Sequence, residues 1–457
     1  MKLSALTFVF LFAAIIAHSQ SNSVQKKYSK DQLKEDIGYL KNQIYQVHAY
    51  PFTELDKSKY DELFQSMQSQ LRDSMSAAGF AKVVKPAIAY LSDEHANIGV
   101  SKLELMDWNK QAVYIPFSLY QKGTRYHIAK LIAPQSGLKE NEEIISINGI
   151  PVEKLIEKTS LCTTGFKDQR KEKALTLLGL YAVWAMPASE QYDILLTSGQ
   201  HLTVSGIPRE QWETELNRLN GTGSACKDLL TYQKVGSVGY LKSCSFSVSD
   251  AKLDSVEKQI DAIFKQIKQD RVTSLVIDVS QNGGGNSSVG NMIIDHFNKK
   301  PYKSYQCNWK RSDDYLALLK QYHLNDQFYA SQPIGKIIHF DSETASPPAN
   351  DSTRFNRKVY VVVGDGTFSS AIMFATVIKD NQLAKLVGKA PRNGHPNHFG
   401  ELYQTRLPYS GLVLRFGVKE WIRPNGKDVE NRLTPDIAVN LSQDATPEKM
   451  IHALNLR

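Results

Sequence analysis

The segment KVYVVVGDGTFSSAIMFATVI, residues 358–378, encodes a strand, a tight turn and a helix. Its first residues are β-branched or aromatic, as in a buried strand, and Asp365-Gly366-Thr367 is typical of a turn. The apolar residues that follow Ser369 and Ser370 predict a buried helix. A serine at that helix start would lie beside free backbone N–H groups at the positive end of the helix dipole. This position suits a nucleophile whose oxyanion must be stabilised, although serine also fills it as a structural N-cap.

Strand and helix patterns alternate around this segment from residue 233 to residue 445, which is typical of an α/β sheet domain. Residues 275–279 read as a buried strand, and it ends in a glycine-rich turn, Asn282-Gly283-Gly284-Gly285. A long stretch, 301–357, is predicted to be an insertion between two units of the sheet. Residues 446–457 are predicted to be a C-terminal tail.

Two further regions precede this domain. Residues 20–105 carry apolar residues at helical spacing, and Ser29-x-x-Gln32 predicts a capping box at the first helix. Residues 106–205 are richer in strand patterns, and Asn148-Gly149 between two apolar runs indicates a tight hairpin. This region resembles the later half of a PDZ domain, which would bind extended peptide ends by strand addition. Residues 206–232 are polar and are predicted to be a connector.

The first 19 residues have the three parts of a secretory signal peptide. Lys2 supplies the positive start, residues 6–16 form an apolar run, and Ala17-His18-Ser19 ends in small residues. The sequence therefore predicts export to a periplasm or to the cell exterior. No later stretch approaches about 18 uninterrupted apolar residues, so no membrane span is predicted.

Composition and charge narrow the class of function. The hydrophobic content of 42% and the charged content of 22% are ordinary for a globular protein. The net charge of +8 is spread over scattered lysines, which argues against nucleic acid binding. His395 and His398 lie in a loop that offers no obvious third ligand, so neither a metal nor an organic cofactor is predicted. Cys244 falls in an apolar run and is expected to be a buried thiol.

Five segments, in family order along the chain, resemble the tail-specific or C-terminal processing serine peptidases, closest to their tricorn-core-like branch. Together they cover most of the chain that follows the predicted signal peptide. The Asp-x-x-x-Asn-Gly-Gly and Thr-Phe-Ser-Ser-Ala segments are the most specific ones. The five are Asp93–His95, Val238–Leu241, Val276–Gly284, Thr367–Ala371, and Glu430 followed by Thr434–Ile437.

The resemblance implies a multidomain α/β protein with a crotonase-like peptidase core and a role for each matched residue. Ser369 would be the nucleophile, His95 its general base, and Glu430 a member of the hydrogen-bond chain of the site. The oxyanion hole would consist of backbone N–H groups of Ser370 and of the Gly283-Gly284 turn. Glycine there lets the backbone approach the substrate closely.

Three features depart from the family pattern. The turn after the nucleophile helix, 392–395, contains no lysine, and Lys389 is misplaced, so a Ser–Lys dyad is disfavoured. Glu94 stands where tricorn-like sites have a serine before the histidine. Ser280 stands where an arginine is usual.

We therefore expect an exported serine endopeptidase that cleaves peptides or unfolded protein segments through an acyl-enzyme on Ser369. The departures leave one alternative, a catalytically inactive homologue that binds peptides or a hydrophobic ligand. The sequence makes no prediction of the oligomeric state.

Overall fold

The computed structural model describes residues 26–101, 113–135, 137–187, 189–220, 229–348, 352–427, 431–439 and 446–455. The predicted signal peptide and Glu430 lie outside the described residues. No helix in these ranges is long and apolar enough to cross a membrane.

Three helices form the N-terminal region, as predicted. The first begins at the predicted capping box, in which Ser29 accepts from the N–H of Gln32 and the Gln32 side chain accepts from the N–H of Ser29. Its apolar residues at helical spacing are fully buried in a common core with the next two helices. The elements are β1 (Lys27–Tyr28), α1 (Lys30–Val47), α2 (Lys57–Ser69), β2 (Met75–Ser76), α3 (Ala77–Ala89) and β3 (Asn97–Gly99).

The next region combines two small antiparallel sheets with three helices. The predicted hairpin is confirmed, because Asn148 and Gly149 both have positive φ, 50° and 70°, as a type I′ turn requires. One sheet pairs β4 with β5, and the other has the order β7-β6-β8-β9. The elements are β4 (Phe117–Lys122), β5 (Arg125–Leu131), β6 (Ile144–Ile147), β7 (Ile150–Pro151), α4 (Val152–Ser160), α5 (Lys167–Thr176), α6 (Leu178–Ala185), β8 (Gln191–Leu196) and β9 (His201–Ser205). The resemblance of this region to a PDZ domain stays a prediction.

The stretch predicted to be a polar connector, 206–232, contains a helix, α7 (Arg209–Asn220). The helix is mostly polar, and its anchor is Trp212, which is fully buried and donates its indole N–H to the carbonyl of Ile115 at 2.8 Å. A single buried aromatic residue gives little periodic signal, although it buries a large apolar area.

A six-stranded sheet forms the centre of the α/β domain. Its order is β10-β11-β12-β17-β18-β21; the first pair is antiparallel and all the others are parallel. The strands are β10 (Leu230–Val235), β11 (Val238–Ser243), β12 (Ser274–Asp278), β17 (Lys358–Val363), β18 (Lys385–Gly388) and β21 (Ile437–Ala438). The mixed α/β, multidomain organisation is thereby confirmed, whereas the crotonase-like identity of this core stays a prediction.

Helices cover both faces of this sheet. One face packs against α8 (Leu253–Gln269), α9 (Ser287–Asp295) and α12 (Ser370–Asp380). The other face packs against α13 (Pro447–Ala453), whose Met450 and Ile451 are buried on it. The segment predicted to be a tail, 446–457, therefore contributes a helix to the core.

A second, antiparallel sheet receives strands from distant parts of the chain. The stretch predicted to be an insertion supplies β14 (Gln306–Lys310) and β15 (Ile337–Phe340), which join β19 (His398–Arg406) and β20 (Val413–Ile422) in the order β15-β14-β20-β19. The N-terminal strand β3 also pairs with β20, from Asn97 opposite Arg415 to Gly99 opposite Val413. The other elements of the stretch are β13 (Tyr302–Lys303), β16 (Thr344–Ala345), α10 (Asp313–Gln321) and α11 (Gln327–Ser331).

The cysteines differ from expectation at one position. Cys162 and Cys307 are free and buried, whereas Cys244 is disulfide-bonded and only partly buried. Cys244 is less buried than expected because β11 ends at Ser243 and the chain leaves the sheet at the next residue.

Candidate active site

Ser369 occupies a strained backbone position immediately before α12. Its φ is 54° and its ψ is −126°, a region that non-glycine residues rarely adopt. Its side chain makes no capping hydrogen bond to the helix, so the structural N-cap interpretation fails for this serine. The turn before it is fixed by Thr367, whose hydroxyl donates to the carbonyl of Val279 at 2.8 Å and accepts from the N–H of Gly364.

Ser370 is used differently from its neighbour. Its hydroxyl is buried and donates to the carbonyl of Gly285 at 2.5 Å, which ties the helix to the glycine-rich turn. Its N–H begins α12 and has no acceptor among the described residues, as is usual in the first turn of a helix. The two serines therefore differ: the hydroxyl of Ser370 is held by Gly285, whereas the side chain of Ser369 makes no capping hydrogen bond.

The glycine-rich turn lies directly against this serine pair. A Cβ added to Gly284 would come within 2.8 Å of Ser369 Cβ and 2.9 Å of Ser370 N, and its φ of +92° also favours glycine. The N–H of Gly284 donates to Asn282 Oδ1 at 2.9 Å, so in this state it is not directed at a substrate. Within the described residues, the N–H of Gly283 has no acceptor. The oxyanion hole of Gly283, Gly284 and Ser370 stays a prediction, and Gly283 and Ser370 are its two available donors.

Ser369 and His95 line the same small pocket, of about 40 Å³, at the junction of the two sheets. The imidazole of His95 stacks on the ring of Phe368, the residue next to Ser369, with 4.8 Å between ring centroids. No hydrogen bond joins His95 to Ser369 Oγ among the described residues. Catalytic hydrogen bonds are often long in substrate-free enzymes and tighten in the complex.

The surroundings of His95 favour its neutral form. Burial lowers its pKa, and the cation of Arg415 on β20 lowers it further. The negative charge of Asp93 and a hydrogen bond with the backbone of Phe399 oppose these effects. A neutral imidazole is the form that can accept a proton from a serine.

The pocket holds two ionisable residues that the sequence did not assign to it. His398 begins β19 and its ring lies 6.2 Å from that of His95. Its Nδ1–H donates to the carbonyl of Pro396, and burial lowers its pKa to about 4. Glu401 also lines the pocket; it has a positive φ of 57° and forms an ion pair with Lys419. No local motif marks either residue, because only the pairing of β19 with β20 brings them to the pocket.

The two histidines that stand three apart in sequence have separate partners. His395 lies with its Nε2 3.1 Å from Asp168 Oδ1 and stacks on Phe166 at 3.8 Å, outside the pocket. No cluster that could hold a metal ion occurs among the described residues.

Two of the residues that depart from the family pattern have side-chain partners in the structure. Glu94 is an acceptor for the side-chain amide of Gln169 on α5, and burial raises its pKa. Lys389 is an exposed residue whose Nζ lies 2.7 Å from Asp365.

Residues 237–439, which contain the strained serine and the glycine-rich turn, match the model of peptidase family S41. Residues 237–439 form a peptidase family S41 domain. This S41 peptidase is a serine-type hydrolase, and the sequence-based prediction of a tail-specific peptidase family is confirmed.

Solved structures of CPAF share the fold of this S41 peptidase at low sequence identity. Mature CPAF is 14% identical, with 91% of this chain and 94% of that chain covered and a TM-score of 0.56. Mature CPAF complexed with lactacystin is 16% identical, with 93% and 97% covered and a TM-score of 0.57. The photosystem II D1 C-terminal processing protease is 13% identical, with 94% and 97% covered and a TM-score of 0.43. No curated protein matches the sequence significantly.

Proposed function

We propose that the protein is an exported serine endopeptidase that cleaves peptides or unfolded protein segments through an acyl-enzyme on Ser369. The observation that carries the proposal is the strained Ser369 at the start of α12, in one pocket with His95. Strain of this kind persists where the surrounding structure holds a reactive group in place. The hydroxyl of Ser370, by contrast, is engaged by Gly285.

The proposed reaction follows from these positions. His95 takes the proton of Ser369 Oγ as the oxygen attacks the scissile carbonyl. The resulting oxyanion accepts hydrogen bonds from the N–H groups of Ser370 and Gly283, for which the described residues offer no other acceptor. His95 then gives its proton to the departing amine, and a water molecule hydrolyses the acyl-enzyme on Ser369. Glu430 remains our candidate for the acidic member of the hydrogen-bond chain.

We propose that the region 106–205 is a PDZ-like domain that binds the C-terminal end of the substrate. Its four-stranded sheet ends in the strands β7 and β9, which pair on one side only among the described residues and so leave edges for strand addition.

Export is proposed from the signal-like residues 1–19, and the disulfide at Cys244 supports an oxidising compartment. N-terminal sequencing of the protein from cell fractions tests this proposal. A mature chain that begins near residue 20 in a periplasmic or extracellular fraction is the expected result. A cytoplasmic chain that retains Met1–Ser19 would contradict it.

A fluorophosphonate probe tests the enzymatic part of the proposal. Wild-type protein should be labelled, and Ser369→Ala should lose labelling completely. Ser370→Ala is the matched control, because it removes the adjacent hydroxyl and retains the backbone N–H; it should still be labelled. Cleavage of an unfolded model protein should follow the same pattern. Folded wild-type protein that neither reacts nor cleaves would favour the alternative, an inactive homologue that binds peptides or a hydrophobic ligand.

A further inference from the structure

Asp93 is a fully buried carboxylate two residues before His95. A buried carboxylate is costly unless it is well paired. The N–H of His95 donates to Oδ1 at 2.7 Å, and the N–H of Gly417, on β20, donates to Oδ2 at 2.7 Å. Asp93 therefore ties the backbone of His95 to β20, which pairs with the pocket strand β19.

An imidazole nitrogen lies near each oxygen of this carboxylate. His95 Nδ1 is 3.8 Å from Oδ1, and His48 Nε2 is 3.7 Å from Oδ2. Both nitrogens are buried and lack a hydrogen-bond partner in the part of the chain that the structure describes. An unpartnered buried polar atom is rare and asks for an explanation.

The protonation of His48 follows from its other nitrogen. Nδ1 accepts the N–H of Tyr50 at 3.2 Å, so the proton of the neutral ring is on Nε2, the atom that faces Asp93. The ring is packed between Phe399 and Phe416, with centroid distances of 4.4 and 5.5 Å. His48 thus presents a donor to Asp93 from a fixed position.

Asp93 is ionised despite its burial. Burial alone would raise its pKa, but the nearby imidazoles of His48 and His95 and the N–H of Gly417 outweigh this effect and lower it. Burial and the cations of Arg415 and Lys173 lower the pKa of His95, whereas the anion of Asp93 and a hydrogen bond with the backbone of Phe399 raise it. The remaining titratable groups nearby are His398 and Glu401, which line the pocket, and Glu94, which is bonded to Gln169.

We propose that Asp93 is the positioning residue of His95, and that His48 holds Asp93 in place from the side of its other oxygen. Asp93 favours the tautomer of His95 with its proton on Nδ1, so that Nε2 is free to accept the proton of Ser369. When the imidazole becomes charged, Nδ1–H closes the 3.8 Å gap to Oδ1 and forms an ion pair. This inference rests on the proposed function, and it adds a carboxylate to the site that the sequence analysis did not assign.

The test compares Asp93→Asn with Asp36→Asn in the full-length protein. Asp36 is the matched control, because it is also fully buried and accepts two backbone N–H groups, from Tyr409 at 2.9 Å and Ser410 at 2.8 Å. Each substitution therefore removes one charge and one backbone acceptor. The measurement is the rate of fluorophosphonate labelling against pH, per folded molecule, together with NMR titration of the His95 ring.

In Asp93→Asn the pKa of His95 should fall further, because the nearby opposite charge that favours the protonated ring is lost. The rise of the labelling rate with pH then moves to lower pH. The plateau rate should fall by about 10²–10⁴-fold, since the charged imidazole loses its partner. Asp36→Asn should keep the wild-type midpoint and plateau. A profile for Asp93→Asn that coincides with that of Asp36→Asn would overturn the proposal.

His48 provides a second pair of variants in case Asp93→Asn does not fold. His48→Leu removes the donor to Asp93 and should lower the plateau labelling rate, whereas His48→Gln can still donate and should recover part of it. Equal rates for the two variants would contradict the role of His48 in holding Asp93. Absence of labelling in wild-type protein would instead reject the proposed enzymatic function, and the NMR titration of His95 would still decide its pairing with Asp93.

Discussion

Gly284 touches the predicted nucleophile: a Cβ at this position would lie 2.8 Å from Ser369 Cβ and 2.7 Å from the carbonyl oxygen of Phe368. Contacts this short do not occur between real side chains and backbone. The glycine therefore sets the distance between the end of β12 and the start of α12, and with it the position of Ser369.

Gly284→Ala should displace Ser369 and the N–H of Ser370 and reduce the rate of fluorophosphonate labelling by at least about 100-fold, the usual loss when an oxyanion donor is removed. Gly123→Ala is the control, because Gly123 also has a positive φ, of 62°, but its Cβ would meet nothing within 4 Å. It should cost only about 1–2 kcal/mol of stability, from backbone strain. Equal labelling of the two variants would show that the contact at Gly284 is unimportant.

A buried ion pair holds the C-terminal end of α12, the helix that follows Ser369. Asp380, the last residue of α12, receives two hydrogen bonds from Arg423, at 3.0 and 2.6 Å, and two from Asn425. The side chains of Asp380 and Arg423 are only 2% and 6% exposed. Asp380→Ala leaves a buried guanidinium without its partner and should lower the free energy of unfolding by about 3–5 kcal/mol.

Urea denaturation followed by fluorescence measures this loss. The control is Asp31→Ala, which removes an ion pair with Lys34 whose aspartate is 87% exposed and should change stability by less than about 1 kcal/mol. A similar urea midpoint for the two variants would contradict the structural role of Asp380.

The buried His398 should make stability depend on pH. Its pKa is lowered by burial to about 4 in the folded protein, against an ordinary value of about 6.5 in the unfolded chain. Its contribution is complete above pH 6.5 and is lost as pH falls towards 4, because the unfolded state binds the proton first. The free energy of unfolding should therefore drop by about 2 kcal/mol from this residue between pH 7 and pH 5.

The loss between pH 7 and pH 5 should be smaller in His398→Gln than in wild type. His339→Gln, at a half-exposed histidine, should retain the wild-type dependence. If His398→Gln and His339→Gln lose the same stability on acidification, the buried neutral state of His398 is disproved.

The sequence predicted those parts of the molecule whose signals are local. The capping box at Ser29, the hairpin at Asn148-Gly149 and the strand, turn and helix around Ser369 each depend on a few adjacent residues, and each occurs in the structure. The resemblance to the peptidase family also predicted that Ser369 and His95 lie at one site, although they are far apart in the sequence.

The parts that were missed depend on distant pairing. His398 and Glu401 reach the pocket only because β19 pairs with β20, and no residue spacing in the sequence predicts this strand pairing. Asp93 appeared in the quoted motif, but its contacts with Gly417 and His48 required the folded sheet and helix. Glu430 lies outside the described residues, so its role stays a prediction.

The pairing of β3 with β20 has a consequence for biosynthesis. The strand that follows His95, β3, can pair with β20 only after Arg415 and its neighbours have been synthesised and folded. During synthesis the predicted base, His95, is therefore made long before the strand that pairs with β3, and the predicted nucleophile, Ser369, is also added late. A copy that lacks these late segments cannot bring the two predicted catalytic residues together. The topology therefore places the proposed activity after completion of the fold, when the chain no longer offers unfolded segments of its own.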